Sequence, residues 1–437
     1  MQLMDRLKAK VAQWPYVLIT MMAASAAFGT YTCMYAFRKA FAAGTYAGHQ
    51  YFHIDYKVWL VIAQVLGYTI SKFYGIRFIA EIKPERRAKS ILILIGTSWL
   101  ALLGFALIPA PYNIAMLFLN GFPLGMIWGL VFGYLEGRKT TEFMASVMSI
   151  SLIFASGFVK TSGRSLMSSF HINEYFMPFC TGALFVIPLL FFVFCMELMP
   201  APTPEDKQLR AERVPMSAAE RRRFLFRFLP GITLTVIIYV MLTMMRDIRD
   251  NFEVEIWEGL GVKNNNSIFT HIDTVISVVV LTAMSLLILI RKNLLAFSII
   301  HIMIIIGCVL AGVGTLLFDI QVIDAYTWMT LAGLGLYLGY VPYNAIFFER
   351  MIASFNYKSN VGFVMYIADA MGYLGSVSIL LVKELARPGI SWTMFFRHGL
   401  MVLSFIGGIG AILSLLYFLQ TANRQQKEKR KLNLYTA

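Results

Sequence analysis

Charge is scarce in this sequence: Asp, Glu, Lys and Arg make up 14 % of 437 residues, against about 25 % in an ordinary soluble protein. Acids are the scarcer sign, 24 against 38 Lys and Arg. A chain this poor in charge cannot cover a soluble surface, which excludes a cytosolic enzyme, and it is too apolar to be disordered. Cysteine is almost absent. The four present (Cys33, Cys180, Cys195, Cys308) sit in apolar segments without paired spacing, which excludes a disulfide or metal framework and leaves small buried hydrophobes. There is no GxxxxGK[ST] loop, no His or Cys ligand spacing and no nucleophile elbow. The reading is therefore of a non-enzyme with no metal and no cofactor, and not of a nucleotide-driven pump.

Long apolar runs fill the chain instead. Hydrophobic residues reach 58 % and the mean hydropathy is +0.67. A membrane helix needs about 20 mostly apolar residues, and that length picks out twelve candidates. They are Pro15–Phe41, Val58–Ala80, Ile91–Pro109, Asn113–Leu135, Phe143–Met167, Phe176–Leu198, Leu229–Arg249, Ile268–Ile290, Leu295–Phe318, Tyr326–Phe348, Val361–Val382 and His398–Leu419. The first is too long for a signal peptide and is read as retained. The expected fold class is an all-α integral membrane protein of twelve transmembrane helices. The net charge of +14 then has a topological meaning. With both termini cytoplasmic, Lys and Arg concentrate in the inside loops and tails, as the positive-inside rule requires. No nucleic-acid partner is implied; the partners expected are the lipid bilayer and a small anionic substrate. A bacterial inner membrane is the expected location, and a monomer the expected state.

The longest internal polar stretch, Met199–Arg223, carries Pro200, Pro202 and Pro204, then mixed charge, then Arg221-Arg222-Arg223. It reads as a linker, with room for a short surface helix, and divides the spans six and six. The expected organisation is an N-terminal bundle over 1–198, a cytoplasmic linker over 199–228, a C-terminal bundle over 229–420 and a basic tail over 421–437. A weak internal repeat agrees. Phe52-His53-Ile54-Asp55 echoes Thr270-His271-Ile272-Asp273, Gly121 and Glu136 echo Gly333 and Glu349, and Arg38 and Phe41 echo Arg249 and Phe252. Duplicated six-helix bundles are an architecture of secondary transporters.

Ionisable groups inside spans cost about 2.5–3.5 kcal/mol each at a helix centre, so they mark candidate function. Arg38 is a candidate anion ligand, because guanidinium binds phosphate or carboxylate in bidentate fashion; the alternative for Arg38 and for neighbouring Lys39 is snorkelling to the headgroups. Arg246 and Arg249 lie three apart on one helix face, and either pair locally with Asp247, Asp250 or Glu253 or face an anion. The repeat favours Arg249 and depth in the helix favours Arg246. Lys160 and Arg164 share a face of the fifth span, with Lys160 the deeper and a candidate, like Lys72, to add positive potential to the anion site. Lys72 lies towards the inner half of the second. Asp369, the one acid near mid-span, either carries a coupling proton, its pKa raised by burial, or pairs across the bundle. Glu136, Arg138, Glu349 and Arg350 read as cytoplasmic-side salt bridges, and His301 as a satisfied core histidine. Gly121, Gly125, Gly129 and Gly133, with Gly335 and Gly339 in the tenth span, read as close-packing positions.

Three segments carry a resemblance. Tyr35-Ala36-Phe37-Arg38-Lys39-Ala40-Phe41 resembles the Y-x-x-R-K-x-F segment in the first helix of the organophosphate:phosphate antiporters of the major facilitator superfamily. Tyr68-Thr69-Ile70-Ser71-Lys72-Phe73 is similar to that family's second-helix S-K-F segment, and Phe118-Leu119-Asn120-Gly121 with Gly125-Met126 and Trp128 to its fourth helix. The resemblance implies a phosphate site formed by Arg38 and by Arg246 or Arg249, with Lys72 lining the same cavity beside Tyr35. Two departures point to a divergent bacterial branch: Lys160 stands in the fifth span, which lacks the family's histidine, and the seventh span lacks the family's tyrosine and adds two aspartates. The resulting expectation is an alternating-access transporter of a small organic anion, a phosphate ester or a carboxylate. The alternatives are a proton-coupled transporter of a neutral or cationic solute using Asp369, and a membrane sensor or scaffold that keeps the fold without transport.

Overall fold

Helices of membrane length follow one another along the computed structural model, which describes residues 2–203, 206, 218–263, 265–355, 362–386 and 389–435. Residues 204, 205 and 207–217 of the expected linker, and 436–437 of the tail, lie outside the described residues. We number only the long helices. Ten are long and apolar enough to cross a membrane: α1 Tyr16–Arg38, α3 Pro84–Leu107, α4 Ile114–Leu135, α5 Thr141–Phe170, α6 Met177–Glu197, α7 Leu229–Gly259, α8 Ile268–Ile288, α9 Asn293–Asp319, α10 Ala325–Ser354 and α12 Trp392–Glu428. Two more of similar length, α2 Tyr56–Glu81 and α11 Gly362–Ala386, complete the expected twelve. The chain is a multi-pass integral membrane protein. α7 continues ten residues beyond the expected end at Arg249, through a run of acids.

The chain divides into two compact units. One comprises Met1–Arg210, Asp247–Leu281 and Val377–Phe395; the other comprises Ala211–Arg246, Thr282–Ser376 and Phe396–Ala437. In the first, α1 packs on α5 and α6, and α4 packs on α2 and α3. Glycine sets the closest approach. A Cβ at Gly121 would lie 2.3 Å from the Gln64 carbonyl oxygen, and one at Gly67 would lie 2.3 Å from that of Phe118, so α2 and α4 meet backbone to backbone, as small residues permit. In the second unit, Gly307 and Gly335 do the same for α9 and α10, each Cβ falling within 2.5 Å of the other's carbonyl.

Among the described residues four helices are interrupted, α12 by a π turn at Leu403–Gly407. α4 breaks after Leu124, where Pro123 withholds a backbone donor. α7 leaves helical geometry at Phe252 (φ −119°, ψ 21°). α10 contains a π turn at Tyr343–Phe347, a local irregularity common at functional sites. Beyond the membrane helices, Asp206 ties the start of the linker down: it accepts from the Tyr16 hydroxyl at 3.1 Å and the Lys139 N–H at 3.0 Å, and from the N–H and hydroxyl of Thr203 at 3.0 and 2.9 Å. Burial pushes this carboxyl up, but these donors outweigh it and hold it below the usual carboxylate range.

Candidate functional site

Arg38 is the last residue of α1, and its backbone is fixed by a buried polar knot. Gln64 donates to the Arg38 carbonyl at 2.6 Å and to Asn120 Oδ1 at 2.7 Å. Asn120 in turn donates to the carbonyls of Phe37 at 2.8 Å and Ser98 at 3.0 Å. Polar groups buried in a membrane helix must be satisfied within the protein, and here that need locks the end of α1 against α2, α3 and α4. The Arg38 guanidinium lies 3.8 Å from the centroid of the Tyr68 ring and 5.9 Å from that of Tyr35. Lys72 reaches the same Tyr68 ring, with its Nζ 5.3 Å away. Tyr31 stands one turn before Tyr35 and meets Trp128 edge-on at 5.1 Å. Two cations thus lie over one ring, that of Tyr68, with Tyr31, Tyr35 and Trp128 nearby. Cations over rings are held by the ring quadrupole, and guanidinium is the side-chain cation whose planar fork matches an oxyanion. Gln64 and Asn120 escape a search for charged residues. The signal that finds them is an amide in the middle of an apolar run.

Sequence reasoning gave Lys160 and Arg249 the same role, but the structure pairs both with carboxylates. Lys160 bonds Glu253 and the Asp250 carbonyl, the latter at 3.2 Å, and lies 3.7 Å from the Asp250 carboxylate. Arg249 bonds Asp273 at 2.7 Å and lies 3.3 Å from Glu253. Lys39 donates to Asn251 at 2.7 Å and pairs with Asp250 at 3.1 Å, and Ser156 also donates to Asp250. Lys39, Lys160 and Arg249 thus meet the carboxylates of Asp250, Glu253 and Asp273 in one buried ion network.

The same acidic end of α7 takes Lys57 at Glu255 (2.5 Å) and Arg164 at Glu258 (4.0 Å). Lys57, Lys160 and Arg164 belong to α2 and α5, Lys39 follows α1, and all four meet residues 250–258. This is why α7 runs past Arg249: the charges of Asp250 and Glu253 are buried in pairs rather than held in water, while Glu255 and Glu258 are paired and partly exposed. Beyond the ion pairs, Phe252 stacks on Trp392 at 3.6 Å, and Thr393 donates to the Ile256 carbonyl at 3.1 Å.

In the other unit, the Arg246 guanidinium lies 4.3 Å from the centroid of Tyr340, an environment like that of Arg38. Of the two arginines on α7, Arg246 lies against Tyr340 and Arg249 against Asp273 and Glu253. Tyr340 stacks on Tyr239 at 5.5 Å. The Tyr239 hydroxyl donates to Asp369, and Asn344, on the π turn, donates to the Tyr239 oxygen at 3.3 Å. Asp369 is thus buried in a cluster of hydroxyl and amide groups.

Four residues are expected as cytoplasmic-side salt bridges. Arg138 donates to the Pro200 carbonyl and Arg350 to Asn293 Oδ1 at 2.8 Å, while Glu136 is half-buried and Glu349 exposed. His301 lies between the Phe297 carbonyl at 3.0 Å and the Ser414 hydroxyl at 3.1 Å, a core histidine with both ring nitrogens engaged. The four cysteines are free, and among the described residues no cluster of three His, Cys, Asp or Glu is placed to hold a metal.

Comparison with solved structures finds the same fold in transporters. A D-xylose-proton symporter matches with a TM-score of 0.58 and 14 % identity, over 92 % of this chain and 97 % of that one. The nucleoside transporter NupG matches with a TM-score of 0.60 and 15 % identity, over 92 % and 99 %. The xylose transporter XylE from E. coli, in an inward-open conformation, matches with a TM-score of 0.58 and 11 % identity, over 91 % and 95 %. The chain has the major facilitator fold. No curated protein matches its sequence. Residues 40–421 match the family described as Family of unknown function (DUF5690), and the chain belongs to that family.

Proposed function

We propose that the protein is a secondary transporter that carries a small organic anion, a phosphate ester or a carboxylate, by alternating access. The observation that carries this reading is the pairing of Arg38 and Lys72 on the Tyr68 ring, with the end of α1 anchored by Gln64 and Asn120. Two cations in a low-dielectric aromatic setting favour an incoming anion far more than they would in water. The likeness to a D-xylose-proton symporter and to a nucleoside transporter supports transport through the fold. In this reading, Lys39, Lys160 and Arg249 with their carboxylates close one face of the first unit, and the pairs must part before α1 and α5 can separate from the end of α7. Both termini lie in the cytoplasm of a bacterial inner membrane.

The test is ligand-dependent thermal stabilisation of the purified protein with a panel of phosphate esters, carboxylates and neutral sugars. An anion should raise the unfolding midpoint of the wild type and leave Arg38→Gln unmoved. Stabilisation by neutral solutes alone, equal in both proteins, refutes the assignment.

The cluster of Asp369, Tyr239 and Asn344 favours a second reading, in which the solute is neutral or cationic and Asp369 carries the coupling proton. Asp369→Asn would then abolish flux driven by a pH gradient. Survival of that flux excludes it.

A further inference from the structure

The helix Ala218–Arg227, which precedes α7, is basic and is anchored through phenylalanines. At about 100° per residue, Phe224 and Phe228 fall together on one side of it. Both are buried, with the Phe228 ring 4.9 Å from Phe355 and 6.4 Å from Phe418. The Tyr417 hydroxyl donates to the Arg227 carbonyl at 3.2 Å and fixes the end of the helix. The other side carries Arg222, Arg223, Phe226 and Arg227, all exposed. Phe226 is 64 % accessible, and the Arg222 guanidinium lies 5.6 Å from its ring. α12, which supplies Tyr417 and Phe418, runs on to Arg424 and Lys427, also exposed.

We infer that this face binds anionic phospholipid. The guanidinium groups of Arg222, Arg223 and Arg227 make an anion-binding surface, but they do not explain the phenylalanine among them. A large aromatic ring facing water between arginines is unfavourable. At the headgroup level of a bilayer the same pattern is satisfied on both counts: the ring enters the acyl boundary while the arginine stems snorkel to lipid phosphates. Leu229, the first residue of α7, is 46 % accessible and extends the apolar edge. A soluble polyanion would use the arginines and gain nothing from Phe226, so the occupant is a lipid. The Phe224 and Phe228 anchors keep the helix in place, so its arginines are presented in a fixed orientation. This inference does not depend on the transport reading.

The experiment is native mass spectrometry of the full-length protein in detergent, titrated with phosphatidylglycerol or phosphatidylcholine, with and without inorganic phosphate. One basic residue near an anionic surface contributes roughly a five- to tenfold preference, so the wild type should prefer phosphatidylglycerol by at least about tenfold. The R222Q/R223Q/R227Q protein should lose that preference, R222K/R223K/R227K should keep most of it, and Phe226→Ala should weaken lipid binding. If the triple Gln variant fails to fold, the three single Gln variants replace it, each expected to lose part of the preference. Two results overturn the inference. One is an unchanged preference in the Gln variants. The other is displacement of the lipid by inorganic phosphate at equal concentration, which would make this an aqueous anion site.

Discussion

Replacing Lys160 by Gln tests whether the ion network is a balanced set of charges or a collection of independent pairs. Lys160 and Glu253 are both fully buried, with 0 % side-chain exposure, so removing one leaves an uncompensated charge in a medium that solvates it poorly. Breaking one partner of a buried pair costs about 3–5 kcal/mol. An unfolding entropy of about 2.1 cal/mol/K per residue gives roughly 0.9 kcal/mol/K for the 437 residues. Lys160→Gln and Glu253→Gln should therefore each lower the unfolding midpoint by roughly 3–5 °C. The double variant removes one charge of each sign and leaves Arg249 with Asp273 and Lys39 with Asp250. It should lose clearly less than the sum of the singles, the coupling that a double-mutant cycle measures. The assay is thermal unfolding of detergent-purified protein. Strict additivity, or single variants that shift the midpoint by less than about 1 °C, would refute the balanced-network account.

Other consequences are equally direct. Gly121→Ala forces a Cβ to 2.3 Å from a backbone carbonyl, whereas Gly96→Ala meets nothing within 4 Å. The first should cost about 1–3 kcal/mol and the second should be neutral or stabilising, which expression level and unfolding midpoint will report. Asn120→Leu removes the donors to the Phe37 and Ser98 carbonyls and so should weaken anion binding by loosening Arg38, even though Asn120 has no charge to offer an anion; ligand titration reads this. Asp206 is held below the usual carboxylate range. Its stabilisation is full above the unfolded carboxylate pKa of about 3.9 and is lost as pH falls through the lower folded value. The acid limb of the midpoint-against-pH curve should accordingly flatten in Asp206→Asn, and an unchanged limb would contradict the assignment.

The membrane helices were legible because lipid imposes one rule on every span: about twenty apolar residues with every backbone group satisfied inside the helix. The glycine spacing was legible for the same kind of reason, since only a missing side chain lets Gly121 touch the backbone at Gln64. Arg38 and Lys72 were found as rare charges in apolar runs, and the structure gives them one ring in common. Their anchors were not found, because Gln64 and Asn120 act through carbonyls 26 and 83 residues away in sequence. The ion network was half legible. The local pairing of Arg249 with Glu253 follows from i, i+4 spacing, but Lys160 meets Glu253 across 93 residues, a distance that single-sequence periodicity does not span.

The central claim is that the cation pair on Tyr68 serves an anion carried across the membrane. Its most direct test is exchange in proteoliposomes loaded with unlabelled phosphate and offered labelled phosphate or a phosphate ester outside, with wild type and Arg38→Gln in parallel. The account predicts saturable exchange by the wild type that falls at least about tenfold, 1.4 kcal/mol of lost anion binding, in the variant. Exchange that is equal in both proteins, or a wild type that moves neutral solutes and no anion, would contradict it.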